Sequence, residues 1–163
     1  VWYVVILFAT IVGTLAIARR RLVIVQVTGP SMLPAYRSGD RVLIRRLVGS
    51  KLRRGQVVVF ESALGGQWRT GPLSAPKDSK WLIKRVAALP GDPVPPTVTH
   101  AVNAPEGALV PKGRLVVIGD GPMSADSRNW GYLPADRVLG VVVRRLSPAQ
   151  PSGGAAEGSD VSS

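Results

Sequence analysis

The sequence contains no cysteine. Disulfides, thiolate metal sites and cysteine nucleophiles are thereby excluded. The absence says little about compartment, because many extracytoplasmic proteins form no disulfide. Histidine is nearly missing too: the one residue, His100, lies in a proline-rich stretch. A serine–histidine–aspartate triad would have to use it, and nothing around it suggests a rigid site. The zinc-protease motif HExxH is absent, as is the phosphate-cradling GxxxxGK followed by serine or threonine, so neither chemistry has its ligands. A hydrolase built on this chain needs a base other than histidine.

Acidic residues are also scarce, 10 against 21 lysines and arginines, which leaves a net charge of +11. Such a balance suits a nucleic-acid surface or an anionic membrane surface, where each nearby basic group contributes about 1 kcal/mol. The basic residues come in scattered pairs, Arg45-Arg46, Arg53-Arg54 and Arg144-Arg145, with no basic helix and no interleaved aromatics. The membrane reading is preferred because of the N-terminus. Residues 1–18 read VWYVVILFATIVGTLAIA without a charge. As a helix they rise roughly 27 Å, near the minimum for a bilayer span. Trp2 and Tyr3 suit one interface and Arg19, Arg20 and Arg21 the other. A cleaved signal peptide would carry its positive charge before the apolar run, not after it.

What remains is rich in glycine (18), proline (14) and valine, with 45% hydrophobic residues in a 163-residue chain. That mix predicts one mainly β domain of short strands and turns. Strands are expected over 22–28, 41–45, 56–60, 81–89, 115–118 and 138–144. Residues 62–80 read as a loop, and 93–112, with its five prolines, as turns with at most a short hairpin. The division expected is a transmembrane anchor over 1–18, a catalytic β-domain over 22–147 and a disordered Gly/Ala/Ser-rich tail over 148–163.

Three segments offer chemistry. Lysine can act as a base once burial strips its proton. In the strand Trp81-Leu82-Ile83-Lys84-Arg85-Val86, Leu82, Lys84 and Val86 share one face. Should that face be the inner one, Lys84 lies among apolar side chains and Arg85 points away, free to meet a carboxylate; the alternative is an edge strand with its lysine in water. Ser31 sits in the turn Gly29-Pro30-Ser31-Met32-Leu33-Pro34, which can present a hydroxyl and a backbone N–H to a cleft, although most proline-flanked serines are simply turn residues. The polar stretch from Gly119 to Arg128 follows the strand 115–118. There Asp126 can pair with Arg128, and Ser124 can accept a hydrogen bond from an ammonium.

In order and character these segments resemble the type I signal peptidases. Gly29-Pro30-Ser31-Met32-Leu33-Pro34 is similar to that family's nucleophile box. Gly39-Asp40-Arg41-Val42-Leu43-Ile44 and Arg54-Gly55-Gln56-Val57-Val58-Val59-Phe60 are similar to its next two strands. Lys84-Arg85-Val86 through Leu89-Pro90-Gly91-Asp92 matches its lysine box. Val110-Pro111-Lys112-Gly113, Gly119-Asp120, Ser124-Ala125-Asp126-Ser127-Arg128 and Trp130-Gly131 match its C-terminal box. The resemblance implies a signal-peptidase-like β-fold of antiparallel sheets and a serine–lysine mechanism. Ser31 would be the nucleophile, its N–H holding the oxyanion, with Lys84 the general base and Ser124 orienting the lysine. Asp120 would pair with Arg85 and Asp126 with Arg128 as structural supports, while Gly29, Pro30 and Met32 would meet the substrate. It implies no metal and no organic cofactor. The expected partners are signal-peptide-bearing precursors, membrane lipids and the protein-export machinery, with no nucleic acid. The resemblance also implies a cell-membrane enzyme, single-pass, with an extracytoplasmic catalytic domain; this is preferred over the positive-inside rule, which applied to Arg19–Arg21 points the other way. Three departures stand out. Gly29 replaces a serine that in some members donates to the oxyanion, Gln56 replaces a common aspartate, and Gly121-Pro122-Met123 replaces a longer polar stretch. Rival readings are a self-cleaving serine–lysine autoprotease, a catalytically silent membrane-anchored β-domain, and a nucleic-acid binder.

Overall fold

The computed structural model describes residues 2–47, 52–75 and 80–147, with the backbone alone at 14–20 and 147. The expected tail at 148–163 lies outside the described residues. The chain starts with helix α1 (Trp2–Arg21) and continues through strands β1 (Leu22–Gln26), β2 (Arg41–Arg46), β3 (Val57–Glu61) and β4 (Trp81–Ala88). Then come a short helix α2 (Thr99–Val102), β5 (Arg114–Ile118), a short helix α3 (Ser127–Trp130), β6 (Leu133–Pro134), one 3₁₀ turn (Ala135–Arg137) and β7 (Val138–Ser147). The mainly β architecture expected from the valine-rich pattern is present.

The N-terminal helix requires a correction. Among the described residues no helix is long and apolar enough to cross a membrane. The expectation of a transmembrane anchor over 1–18 is therefore not upheld, and the single-pass placement in a cell membrane loses the element on which it rested. The helix itself is well formed. Thr10 folds its hydroxyl back onto the carbonyls of Ile6 and Leu7, at 2.9 and 2.8 Å.

The seven strands form one sheet in the order β1-β2-β7-β3-β4-β5-β6, and every neighbouring pair is antiparallel. Side chains on a strand alternate between faces. In β3 every residue is buried, because both faces are covered: Val57 and Val59 enter one core cluster with Val42, Ile44 and Leu139, while Val58 and Phe60 enter another with Val86, Leu115 and Val141. This explains the unbroken apolar run in the sequence. A third cluster joins Val94, Val98 and Val110 to Val116 of β5. It folds the proline-rich segment onto the sheet, with one helical turn (α2) and a single bridge between Pro93 and Leu109. The prediction of turns with at most a short hairpin overlooked that helix.

Candidate active site

Strand β4 lies between β3 and β5, and so is not an edge strand. Its Ile83 packs into the first core cluster, whereas Leu82 and Val86 pack into the second. Lys84 shares the face of Leu82 and Val86 and is only 2% exposed. Burial pulls its pKa below that of an ordinary lysine. The nearby Asp126 carboxylate works against this shift, and the Arg128 guanidinium reinforces it. The buried alternative for this lysine is thus the one the fold adopts, because β3 and β5 flank it on both sides.

Ser31 reaches the same place from the loop between β1 and β2. That loop is fixed at its base by Val27 N–H donating to the Asp40 carbonyl (2.8 Å) and Gly39 N–H donating to the Val27 carbonyl (2.9 Å). The buried Asp40 carboxylate accepts the Arg37 N–H at 2.9 Å. Within it, the Pro30 carbonyl accepts the Leu33 N–H at 3.0 Å, and Met32 carbonyl accepts the Tyr36 N–H at 2.8 Å. Met32 was expected to meet substrate. It is instead fully buried with Val27, Val42 and Ile44, and acts as the plug that seats the turn in the core. Pro30 shapes the turn, while Gly29 lines the cleft in a left-handed conformation, φ +87°.

Ser31 and Lys84 line one cleft of about 430 Å³. Thr28, Gly29, Leu82 and Ala125 share its walls, and one side is formed by Ser62, Ala63, Gly66 and Trp68. Trp130 closes the lining and meets Trp68 edge-on, with ring centroids 5.2 Å apart. Phe60 stands behind both, at 6.3 Å from Trp68 and 6.1 Å from Trp130. The Trp68 wall was invisible to motif reasoning. A lone tryptophan in the otherwise polar, glycine-rich stretch Gly65-Gly66-Gln67-Trp68 was the available signal.

The polar loop after β5 supports both candidates. Gly121 N–H donates to the Ser31 carbonyl at 3.0 Å, which ties the turn directly to this loop. Arg85, the neighbour of Lys84, makes a two-pronged ion pair with Asp120, at 2.9 and 2.6 Å, and donates to the Gly55 carbonyl at 2.8 Å. Asp126 is fully buried and accepts from Gly119 N–H (2.8 Å) and from the Arg128 side chain (2.9 and 2.8 Å). Burial alone would raise its pKa; the Arg128 and Gly119 hydrogen bonds outweigh that and hold it below the usual value. Asp126 also begins α3, with its carboxylate accepting Arg128 N–H and Asn129 reaching back to the Asp126 N–H. Ser124 is buried, and its hydroxyl makes no hydrogen bond of ordinary geometry. It leans toward Asp126, on which it exerts a weaker lowering influence. Among the described residues no cluster of His, Asp or Glu could hold a metal ion.

A mainly β domain with a serine, a buried lysine and an apolar cleft fits a proteolytic enzyme, and the relatives of this chain are such enzymes. The family model described as signal peptidase, peptidase S26, matches residues 1–103 and 96–146. A mitochondrial ATP-independent inner membrane protease subunit 1b from Arabidopsis thaliana is 35% identical over 131 residues, covering 77% of this chain and 70% of that protein. Signal peptidase IB of Staphylococcus aureus strain COL is 29% identical over 146 residues, covering 75% and 76% respectively. A crystal structure of a signal peptidase I from Enterococcus faecalis V583 overlaps with a TM-score of 0.37 at 21% identity, covering 58% of this chain and 98% of that one. The chain belongs to the S26 signal peptidase family. It is therefore a hydrolase, a protease of the signal-peptidase class.

Proposed function

We propose that this chain removes N-terminal signal peptides from exported precursor proteins, with Ser31 as nucleophile and Lys84 as general base. The observation that carries the reading is the burial of Lys84 on the wall of the cleft that Ser31 also lines. A lysine whose ammonium is disfavoured by desolvation can be neutral near working pH and accept a proton. Lys84 takes the Ser31 proton as the hydroxyl attacks the scissile carbonyl. The Ser31 backbone N–H stabilises the resulting oxyanion. Gly29 supplies no hydroxyl, and losing one such donor can cost ~10²–10³ in rate unless another group replaces it. The acyl-enzyme is then hydrolysed by a water that the same lysine activates. Ser124 orients the amine, and the Arg85–Asp120 and Arg128–Asp126 pairs hold the surrounding loops.

The substrate is a signal-peptide-bearing precursor with small side chains at the first and third positions before the cut. Shallow pockets admit these and exclude larger ones sterically. The small cleft residues Ala63, Gly66 and Ala125 accord with this. The test is Ser31→Ala and Lys84→Ala, each assayed on a purified precursor. Both should lose cleavage, and wild-type turnover in either would rule out the dyad.

A further inference from the structure

The cleft wall that carries Trp68 has no regular structure to hold it. Between Glu61, the last residue of β3, and Lys80 the described chain makes one isolated bridge, Leu64 to Gln67, and one bond back to the strand ends, Ser62 N–H to the Lys80 carbonyl at 2.8 Å. Fixing a free backbone costs on the order of 1–2 kcal/mol per residue, so such a segment needs anchors. Beside the packing of Trp68 and Leu73 against the core, its polar anchors converge on one buried ion pair. Arg137 and Glu61 are 2% and 3% exposed, and their charged groups lie 3.2 Å apart. Arg137 also donates to the Gly71 carbonyl. Ser74 donates to the other Glu61 oxygen at 2.5 Å, and Arg69 approaches that oxygen at 3.4 Å. Three positions of the loop are thus tied to one carboxylate–guanidinium pair contributed by the end of β3 and by the 3₁₀ turn that leads into β7.

We propose that Glu61 and Arg137 are positioning residues for the active cleft: their buried pair clamps the segment 62–75 so that Trp68 stands against Trp130 and keeps the cleft narrow and dry. Exposed ion pairs hold little, but separating a buried one leaves an uncompensated charge, so this pair resists opening far better than a surface contact could. The consequence reaches the chemistry through water. Ser62, Ala63, Gly66 and Trp68 line the same cleft as Lys84. A loosened wall admits solvent, removes the desolvation that disfavours the ammonium, and leaves Asp126 to favour it against Arg128. The inference rests on the proposed role of Lys84, yet the clamp itself can be read without it.

The experiment compares the full chain with Arg137→Met/Glu61→Gln, which removes the pair without stranding a buried charge, and with Ser74→Ala, which cuts one tie at the loop. Amide hydrogen exchange reads the wall. It should quicken by about tenfold or more across 62–75, while 81–88 and 114–118 keep their protection. On a precursor, kcat should fall more than KM changes, and the rising limb of the pH profile should move to higher pH. Ser74→Ala should show the same changes in smaller degree, and it carries the test if the double variant does not fold. Unchanged exchange in 62–75 would overturn the clamp, and faster exchange with an unaltered pH profile would overturn its role in keeping the cleft dry. Failure of the dyad would show separately, as continued cutting by Lys84→Ala.

Discussion

Gly119 lies so close to Ser124 that a Cβ on the glycine would fall on the serine hydroxyl and within 2.5 Å of the Ser31 carbonyl oxygen. Gly121, two residues on, allows the Pro30 carbonyl a similar approach, 2.7 Å from where its Cβ would stand. The two glycines are the surface on which the Ser31 turn is docked. The turn and the loop that carries Ser124 are therefore in direct contact, although more than eighty residues separate them.

Substituting Gly119→Ala should force the two apart. Overpacking of this kind costs about 1–3 kcal/mol. A displacement near 1 Å at a reacting group can cost ~10²-fold in rate. The expected result is a modest drop in the denaturation midpoint with a much larger fall in kcat. Equal, small effects on both would mean that the docking does not position Ser31.

The pH dependence follows from Lys84. Its pKa is lowered, so the base form appears below the 10.5 of an ordinary lysine, and kcat/KM should rise with pH along a limb set by that lowered value. The sign for stability is the same. The unfolded chain binds the proton more readily, so the penalty for burying Lys84 is full below the folded value and vanishes as pH climbs through the unfolded one. Lys84→Arg should be inactive at every pH at which it folds, since a guanidinium does not give up its proton. Activity in that variant would remove lysine from the role of base.

Ser124→Ala separates chemistry from stability. The hydroxyl is buried without an ordinary hydrogen bond, so its removal strands no partner and should change unfolding free energy by less than about 1 kcal/mol. Its proposed work is to orient the Lys84 amine, and kcat should fall with little change in KM. A large loss of thermal stability with intact kcat would mark Ser124 as a structural residue only.

Asp126→Asn should do the reverse, weakening the fold first. The carboxylate accepts charged and backbone donors while fully buried, and hydrogen bonds to charged groups contribute about 1.5–3 kcal/mol each. Because its pKa is lowered from 3.8, this stabilisation is present above that value and disappears as pH falls through the folded one. The wild-type chain should therefore lose stability on acidification over that range, and the asparagine variant should show a flatter curve. Parallel acid titrations would place the effect elsewhere.

The strands were legible in the sequence because alternation and glycine turns are local signals. The face shared by Leu82, Lys84 and Val86 could be read from spacing alone, whereas the choice between buried and exposed could not, since it depends on β5 lying beside β4. The short helix at Ser127–Trp130 was overlooked, although Asp126 and Asn129 form its reciprocal cap three residues apart; four helical residues leave no periodicity. The substrate role of Met32 came from the family resemblance, and the core packing of its side chain with Val27, Val42 and Ile44 was not legible from the turn motif. The Glu61–Arg137 pair spans 76 residues, and neither residue belongs to a motif. Nothing short of the folded sheet brings them together.

Strand β7 lies between β2 and β3. The half of the sheet that carries Ser31 and the half that carries Lys84 are therefore stitched together by β7, which follows both in the chain. A chain cut before Val138 would keep Ser31 and Lys84 but lose the strand that joins β2 to β3. On the proposed mechanism, a truncated product of this kind should be silent instead of indiscriminate.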